Sequence, residues 1–136
     1  MFQRALLMCE DVRVEVDGTL TLIGVYSDRL RVRAEPGPIV LEHLAFLLVV
    51  GGLQGVERVG FREHVRRVEH DDRPDRALAF EAHDPRAAEH NFVFGHAPMV
   101  FPEEGTYEVA IEIEAAMHHV TFRHRFSVER ASFGSL

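Results

Sequence analysis

The 136-residue sequence has no tryptophan, no lysine, one cysteine and two tyrosines. A single cysteine, Cys9, excludes an intramolecular disulfide. With no tryptophan and two tyrosines, the chain is poorly supplied with sugar-stacking platforms. All fifteen basic residues are arginine, a bias we read as genomic base composition. Serines are few, at Ser27, Ser127, Ser132 and Ser135, and none stands in a nucleophile elbow. Gly51-Gly52 and Gly55 are followed by neither Lys-Ser/Thr nor a helix start, so they form no phosphate loop. No apolar run is long enough to span a membrane, and Ala5–Cys9 is too short even for a signal-peptide core. Twenty-two acids against fifteen arginines give a net charge of −7, which argues against a general nucleic-acid binder.

What the chain does have is strand alternation. Tyr107, Val109, Ile111 and Ile113 alternate with Glu108, Glu112 and Glu114. Val120, Phe122, Phe126 and Val128 alternate with His119, Thr121, Arg123 and Arg125. With Ala115 to His118 as a four-residue loop, Tyr107 faces Phe126, Ile111 faces Phe122 and Ile113 faces Val120. The same register sets Glu108 across from Arg125 and Glu114 across from His119. One register satisfies both faces, the condition for a well-specified hairpin. Upstream, Pro102-Glu103-Glu104-Gly105-Thr106-Tyr107 resembles the lead-in to the penultimate strand of immunoglobulin-like sandwiches, where a tyrosine hydroxyl bonds back to the corner. Tyr107 is the candidate, with Gly105 at the turn.

Earlier in the chain, Ala5 to Cys9 reads as a first strand with two apolar faces, buried on both sides or at a subunit contact. Leu6-Leu7-Met8-Cys9 has the form of a lipoprotein cleavage site but follows no hydrophobic segment, so the expected compartment is the cytoplasm. Val12, Val14 and Val16 form a second alternating run. Asp17-Gly18 is a turn, expected to be a three-residue loop, Asp17 to Thr19, that pairs Val14 with Leu22. Gly24 inside the next strand marks a bulge or a close backbone approach. Arg29, Arg31 and Arg33 alternate with Leu30 and Val32, a charged edge strand rather than a phosphate-binding stripe. Leu44 to Val50 suits a central strand; Val59 to about Arg67 is expected to be a strand, with a short helix as the alternative because Val65 and Val68 are three apart. Further strands are expected around Leu78–Ala82 and from Phe92 through Pro98 to Phe101. The domain spans 1–130, with a tail at 131–136.

ALLMCEDVRVEVDGTLTLIGVYSD is similar to the opening of a family of small bacterial proteins of unknown function. The features shared are Ala5–Cys9, Glu10-Asp11-Val12-Arg13, Leu22-Ile23-Gly24-Val25-Tyr26 and, later, Gly105-Thr106-Tyr107. The resemblance implies a small β-sandwich and brings no catalytic residue with it.

Candidate site residues are sparse. His118 and His119 are adjacent on a strand and point to opposite faces, a poor chelate. His124 lies at inward parity between Phe122 and Phe126 and is expected to be a hydrogen-bonded, partly buried histidine. Asp71, Asp72 and Asp75 in a polar turn are the alternative, as oxygen ligands for calcium. Cys9 beside Glu10 and Asp11 is in the wrong electrostatic setting for a reactive thiol. The sequence therefore predicts an all-β, two-sheet antiparallel sandwich, immunoglobulin-like or C2-like, of seven to nine strands. The expected function is a non-catalytic interaction or assembly module, binding a protein partner or itself as a homo-oligomer, with no cofactor, nucleic acid or membrane. A calcium- or zinc-dependent binding domain is the alternative.

Overall fold

The computed structural model describes residues 1–69, 84–115 and 117–131, together with the backbone of 79–82. The described residues are all-β. The strands are β1 (Phe2–Val14), β2 (Leu20–Tyr26), β3 (Arg29–Arg33), β4 (Ile39–Leu41), β5 (Leu44–Gly51), β6 (Arg58–Arg67), β7 (Ala79–Ala82), β8 (Glu89–His96), β9 (Met99–Phe101), β10 (Gly105–Ala115) and β11 (His118–Ala131). They form a four-stranded sheet, β2-β1-β5-β8, a five-stranded sheet, β3-β11-β10-β6-β7, and a two-stranded ribbon, β4-β9. The sandwich is as predicted, but the eleven strands among the described residues exceed the expected seven to nine. The pairing is also not antiparallel throughout, because β3 runs parallel to β11.

Alternation explains the two layers. Met8, Phe46, Leu48, Val50, Phe92 and Phe94 of the four-stranded sheet face Val109, Ile111, Ile113, Phe122, Phe126 and Val128 of the other in one buried cluster. The ribbon belongs to the same core. Phe101 of β9 meets Tyr107 at 4.8 Å between ring centroids and Phe126 at 6.0 Å, and Phe126 reaches Phe46 at 5.9 Å. Three sheets thus converge on one aromatic cluster, whose tilted and edge-on contacts add to the burial itself. Sequence spacing merges Phe92 to Phe101 into one strand, but the chain leaves the four-stranded sheet after His96, passes the cis Ala97–Pro98 peptide and pairs with β4.

The β10–β11 hairpin has the predicted register, with Tyr107 opposite Phe126, Glu108 opposite Arg125 and Ile113 opposite Val120. Its ladder runs further than predicted, because Ala115 also pairs with His118. The first hairpin differs more. Ala5–Cys9 and the Val12 run are one long strand, β1, and Val14 pairs with Leu20, not Leu22. Glu15 N–H donates to the Thr19 carbonyl at 2.8 Å, closing a three-residue loop of Val16, Asp17 and Gly18 with Gly18 at φ +86°. A left-handed third loop position is what a three-residue hairpin requires. The Asp17 carboxylate accepts the Thr19 hydroxyl at 2.6 Å and the Thr19 N–H at 3.0 Å. The two registers differ by two residues, so both keep apolar against apolar; alternation cannot separate them, and the turn decides.

Candidate functional site

The outer face of the four-stranded sheet is apolar. The pairings align two rows across β1, β5 and β8. Leu7, Leu47 and Val93 form one; Cys9, Ala45 and Gly95 form the next. β2 extends the second row with Val25 opposite Cys9 and adds Ile23 opposite Asp11. These side chains lie outside the core cluster because successive residues point to opposite faces. Val25 is 55% exposed, Val93 44% and Ile23 38%, whereas Leu47, Ala45 and Cys9 are already buried within the monomer. Polar groups form the margins. Arg4 and Glu89 pair beside Phe2 at one end, and Asp11 and Arg13 stand at the other. An apolar centre with a polar rim is the anatomy of a protein interface.

The outer face of the five-stranded sheet is its opposite in chemistry. Glu108 is only 2% exposed, and its carboxylate accepts Arg123 Nη1 at 2.8 Å, Arg125 Nε at 3.1 Å and Arg66 Nη2 at 3.4 Å. Burial works to raise its pKa, but the hydrogen bonds from Arg125 and Arg123, with the charges of Arg123 and Arg66, outweigh it and hold the carboxyl below its ordinary value. Alongside, the buried His64 donates from Nε2 to Glu112 at 3.2 Å. A second buried pair spans the core, where Glu63 of β6 accepts from His96 Nε2 of β8 at 2.9 Å. Sequence reasoning missed Glu63, although its inward parity between Phe61 and Val65 was a usable signal.

The residues singled out from sequence are mostly structural. Tyr107 donates its hydroxyl to the Glu103 carbonyl at 2.7 Å, the corner bond anticipated for it. Gly105 lies at φ +152°, and a Cβ there would sit 3.4 Å from Arg67 Nε. Gly24, at φ +63°, is approached by Glu10, whose Oε2 would lie 3.0 Å from an added Cβ. His124 is half-buried and donates from Nε2 to the Ser27 carbonyl at 3.2 Å. Cys9 is fully buried, its Sγ 3.8 Å from the Ala45 carbonyl. Burial, then the Asp11 charge, raises its thiol pKa. Asp71, Asp72 and Asp75 lie outside the described residues. Among the described residues no three His, Cys, Asp or Glu side chains gather as a metal site, and no helix is long and apolar enough to cross a membrane.

Residues 4–123 match the model for a family of unknown function, DUF6941. The chain belongs to that family. The matched span runs from β1 into β11 and so draws on all three sheets. It includes both the opening segment and Gly105-Thr106-Tyr107. No curated protein and no solved structure matches the chain.

Proposed function

We propose that this DUF6941 domain is a non-catalytic assembly module that docks on a second copy of itself through the outer face of its four-stranded sheet. The observation that carries the reading is a size alternation. On each of three neighbouring strands, outward residues two apart are large and then small: Leu7 and Cys9 on β1, Leu47 and Ala45 on β5, Val93 and Gly95 on β8. The large residues form one row across the sheet, the ridge, and the small ones the next, the trough; Leu47, Ala45 and Cys9 are already buried within the monomer, so the accessible apolar surface is that of Val93 and Gly95 on β8 with Val25 and Ile23 on β2.

A two-fold axis lying between ridge and trough, parallel to both, sets the ridge of each copy over the trough of the other. Exposed Val93 then packs into the open space over Gly95 of the other copy, a pair formed twice, as an isologous contact requires. Nothing within 4 Å fills the space above Gly95. Flat sheet faces pack on one another about 10 Å apart. From strand spacing and rise this face measures roughly 20 by 30 Å, the scale of the ~800 Å² per partner in a standard interface. Removing exposed Val25, Ile23 and Val93 from water supplies the driving force. The Tyr107 corner supports an immunoglobulin-like reading of the sandwich, and a lone, buried cysteine supports a cytoplasmic setting.

The test is sedimentation velocity over a range of concentrations. Gly95→Leu fills the trough without a clash inside the monomer, and Val93→Arg charges the ridge. Dimerisation of the unaltered protein, weakened at least about ten-fold by either change, is the expected result; ten-fold corresponds to ~1.4 kcal/mol. A monomer at all concentrations, or a dimer indifferent to both substitutions, would overturn the reading.

A further inference from the structure

The fold brings together arginines that lie far apart in sequence. Arg123 and Arg125 stand on the outer face of β11. Arg29, Arg31 and Arg33 stand on the same face of β3, opposite Ser127, Glu129 and Ala131. Because β3 runs parallel to β11, the two sets form one series. Positions 123, 125, 127, 129 and 131 of β11 are successive steps of about 6.8 Å, and an arginine stands at each, first on β11 and then on its neighbour. All five are exposed. The track is about 27 Å long.

Its charge stands out from that of the molecule. Across β3, β11, β10 and the part of β6 paired with β10, Arg62 and Arg66 bring the face to seven arginines against Glu108, Glu112, Glu114 and Glu129, a net +3. The whole chain is −7, so −7 less +3 leaves −10 elsewhere. Glu108 also prepares one end of the track. Its buried carboxylate fixes Arg123 and Arg125 while leaving their side chains 50% and 63% exposed. Guanidinium groups already held in place lose less freedom on binding. Further along, Glu129 reaches Arg29 at 3.4 Å and Arg31 at 3.8 Å, exposed contacts that a competing carboxylate can replace.

We propose that this arginine track binds an extended, acidic segment of a partner protein, with carboxylates on alternate residues. An extended chain repeats its same-side side chains at the step of the track, and the guanidinium fork matches a carboxylate. Nucleic acid fits less well. No Phe, Tyr or Trp ring stands among the described residues of this face to stack a base, and the rest of the molecule repels a polyanion. The proposal is independent of docking through the opposite, apolar face.

The experiment is fluorescence anisotropy at low salt, titrating a labelled Glu-Thr repeating decapeptide with the full chain. A block peptide of the same composition and a thymidine hexanucleotide of equal charge serve as competitors. Saturable binding is expected, tighter for the alternating peptide than for the block peptide and weakened about ten-fold or more in ~0.3 M salt. Arg123→Ala with Arg125→Ala should weaken binding by about ten-fold or more. Arg31→Ala with Arg33→Ala, on the edge strand and away from Glu108, should do the same, so a folding defect at the buried carboxylate cannot explain both losses. Absence of saturable binding, unchanged affinity in both folded double variants, or tighter binding of the hexanucleotide would each overturn the proposal.

Discussion

Replacing Glu108 by glutamine isolates the contribution of one buried charge. The carboxylate is 2% exposed and takes hydrogen bonds from three arginines. A buried hydrogen bond to a charged group contributes ~1.5–3 kcal/mol. That value is an upper bound for Arg66, whose side chain is 18% exposed but whose Nη2 stands 3.4 Å from the carboxylate. Arg123 and Arg125 are half-exposed or more and regain water on release, so each contributes nearer the ~0.2–1 kcal/mol of an exposed pair. The glutamine amide retains one acceptor, which offsets part of the loss, while the three guanidinium groups lose their counter-charge. We expect a destabilisation of about 2 kcal/mol at pH 7, or roughly 5–10 °C in Tm for a domain of this size.

Urea titration of both proteins over a pH series provides the assay. The folded pKa of Glu108 lies below its ordinary 4.5. Its stabilisation is therefore complete above the ordinary value and is lost as pH falls through the folded value. The gap between the unaltered protein and the Glu108→Gln variant should be full at neutral pH and close in acid. A gap below ~0.5 kcal/mol at pH 7, or one that stays constant into the acid range, would refute the assignment of Glu108 as the charged centre of this face.

Three further outcomes test the fold. Tyr107→Phe removes the hydroxyl bonded to Glu103 but keeps the ring against Phe101; urea unfolding should show a loss of ~0.5–1.5 kcal/mol. Gly24→Ala places a Cβ at positive φ against Glu10 and should cost ~1–2 kcal/mol, with Glu10→Ala relieving the steric part but not the backbone part. Cys9, buried and raised in pKa, should react with a thiol reagent only slowly in the native state and promptly in denaturant; prompt native labelling would contradict its burial.

Much of this architecture follows from alternation alone. The β10–β11 register emerges because two independent faces, apolar and charged, agree on it. β5 is recognisable because Leu44 to Val50 carries no polar residue on either face, the mark of a strand in mid-sheet. Gly18 and Gly24 are legible as backbone positions. The candidate surfaces are a different matter. Leu7 and Leu47 belong to strands apolar on both faces, so periodicity cannot say which face meets the core. The ridge and trough require the lateral order of β1, β5 and β8, a matter of pairing between residues 36 or more apart in sequence. Glu63 and His96 likewise meet only because β6 and β8 lie in facing sheets.

The division has a physical basis. Local side-chain alternation reports the direction each residue takes relative to its own strand, and from it the sequence by itself determines that the protein is an all-β sandwich, where most strands lie and which residues form the hairpin core. It carries no record of which strands are neighbours, because that depends on long-range pairing and on how the layers close. Tertiary structure alone decided that β3 lies parallel to β11, that Phe101 closes the core through a separate ribbon, and that Glu108 gathers three arginines. A two-residue slip in the first hairpin, invisible to alternation, was settled by the geometry of Gly18.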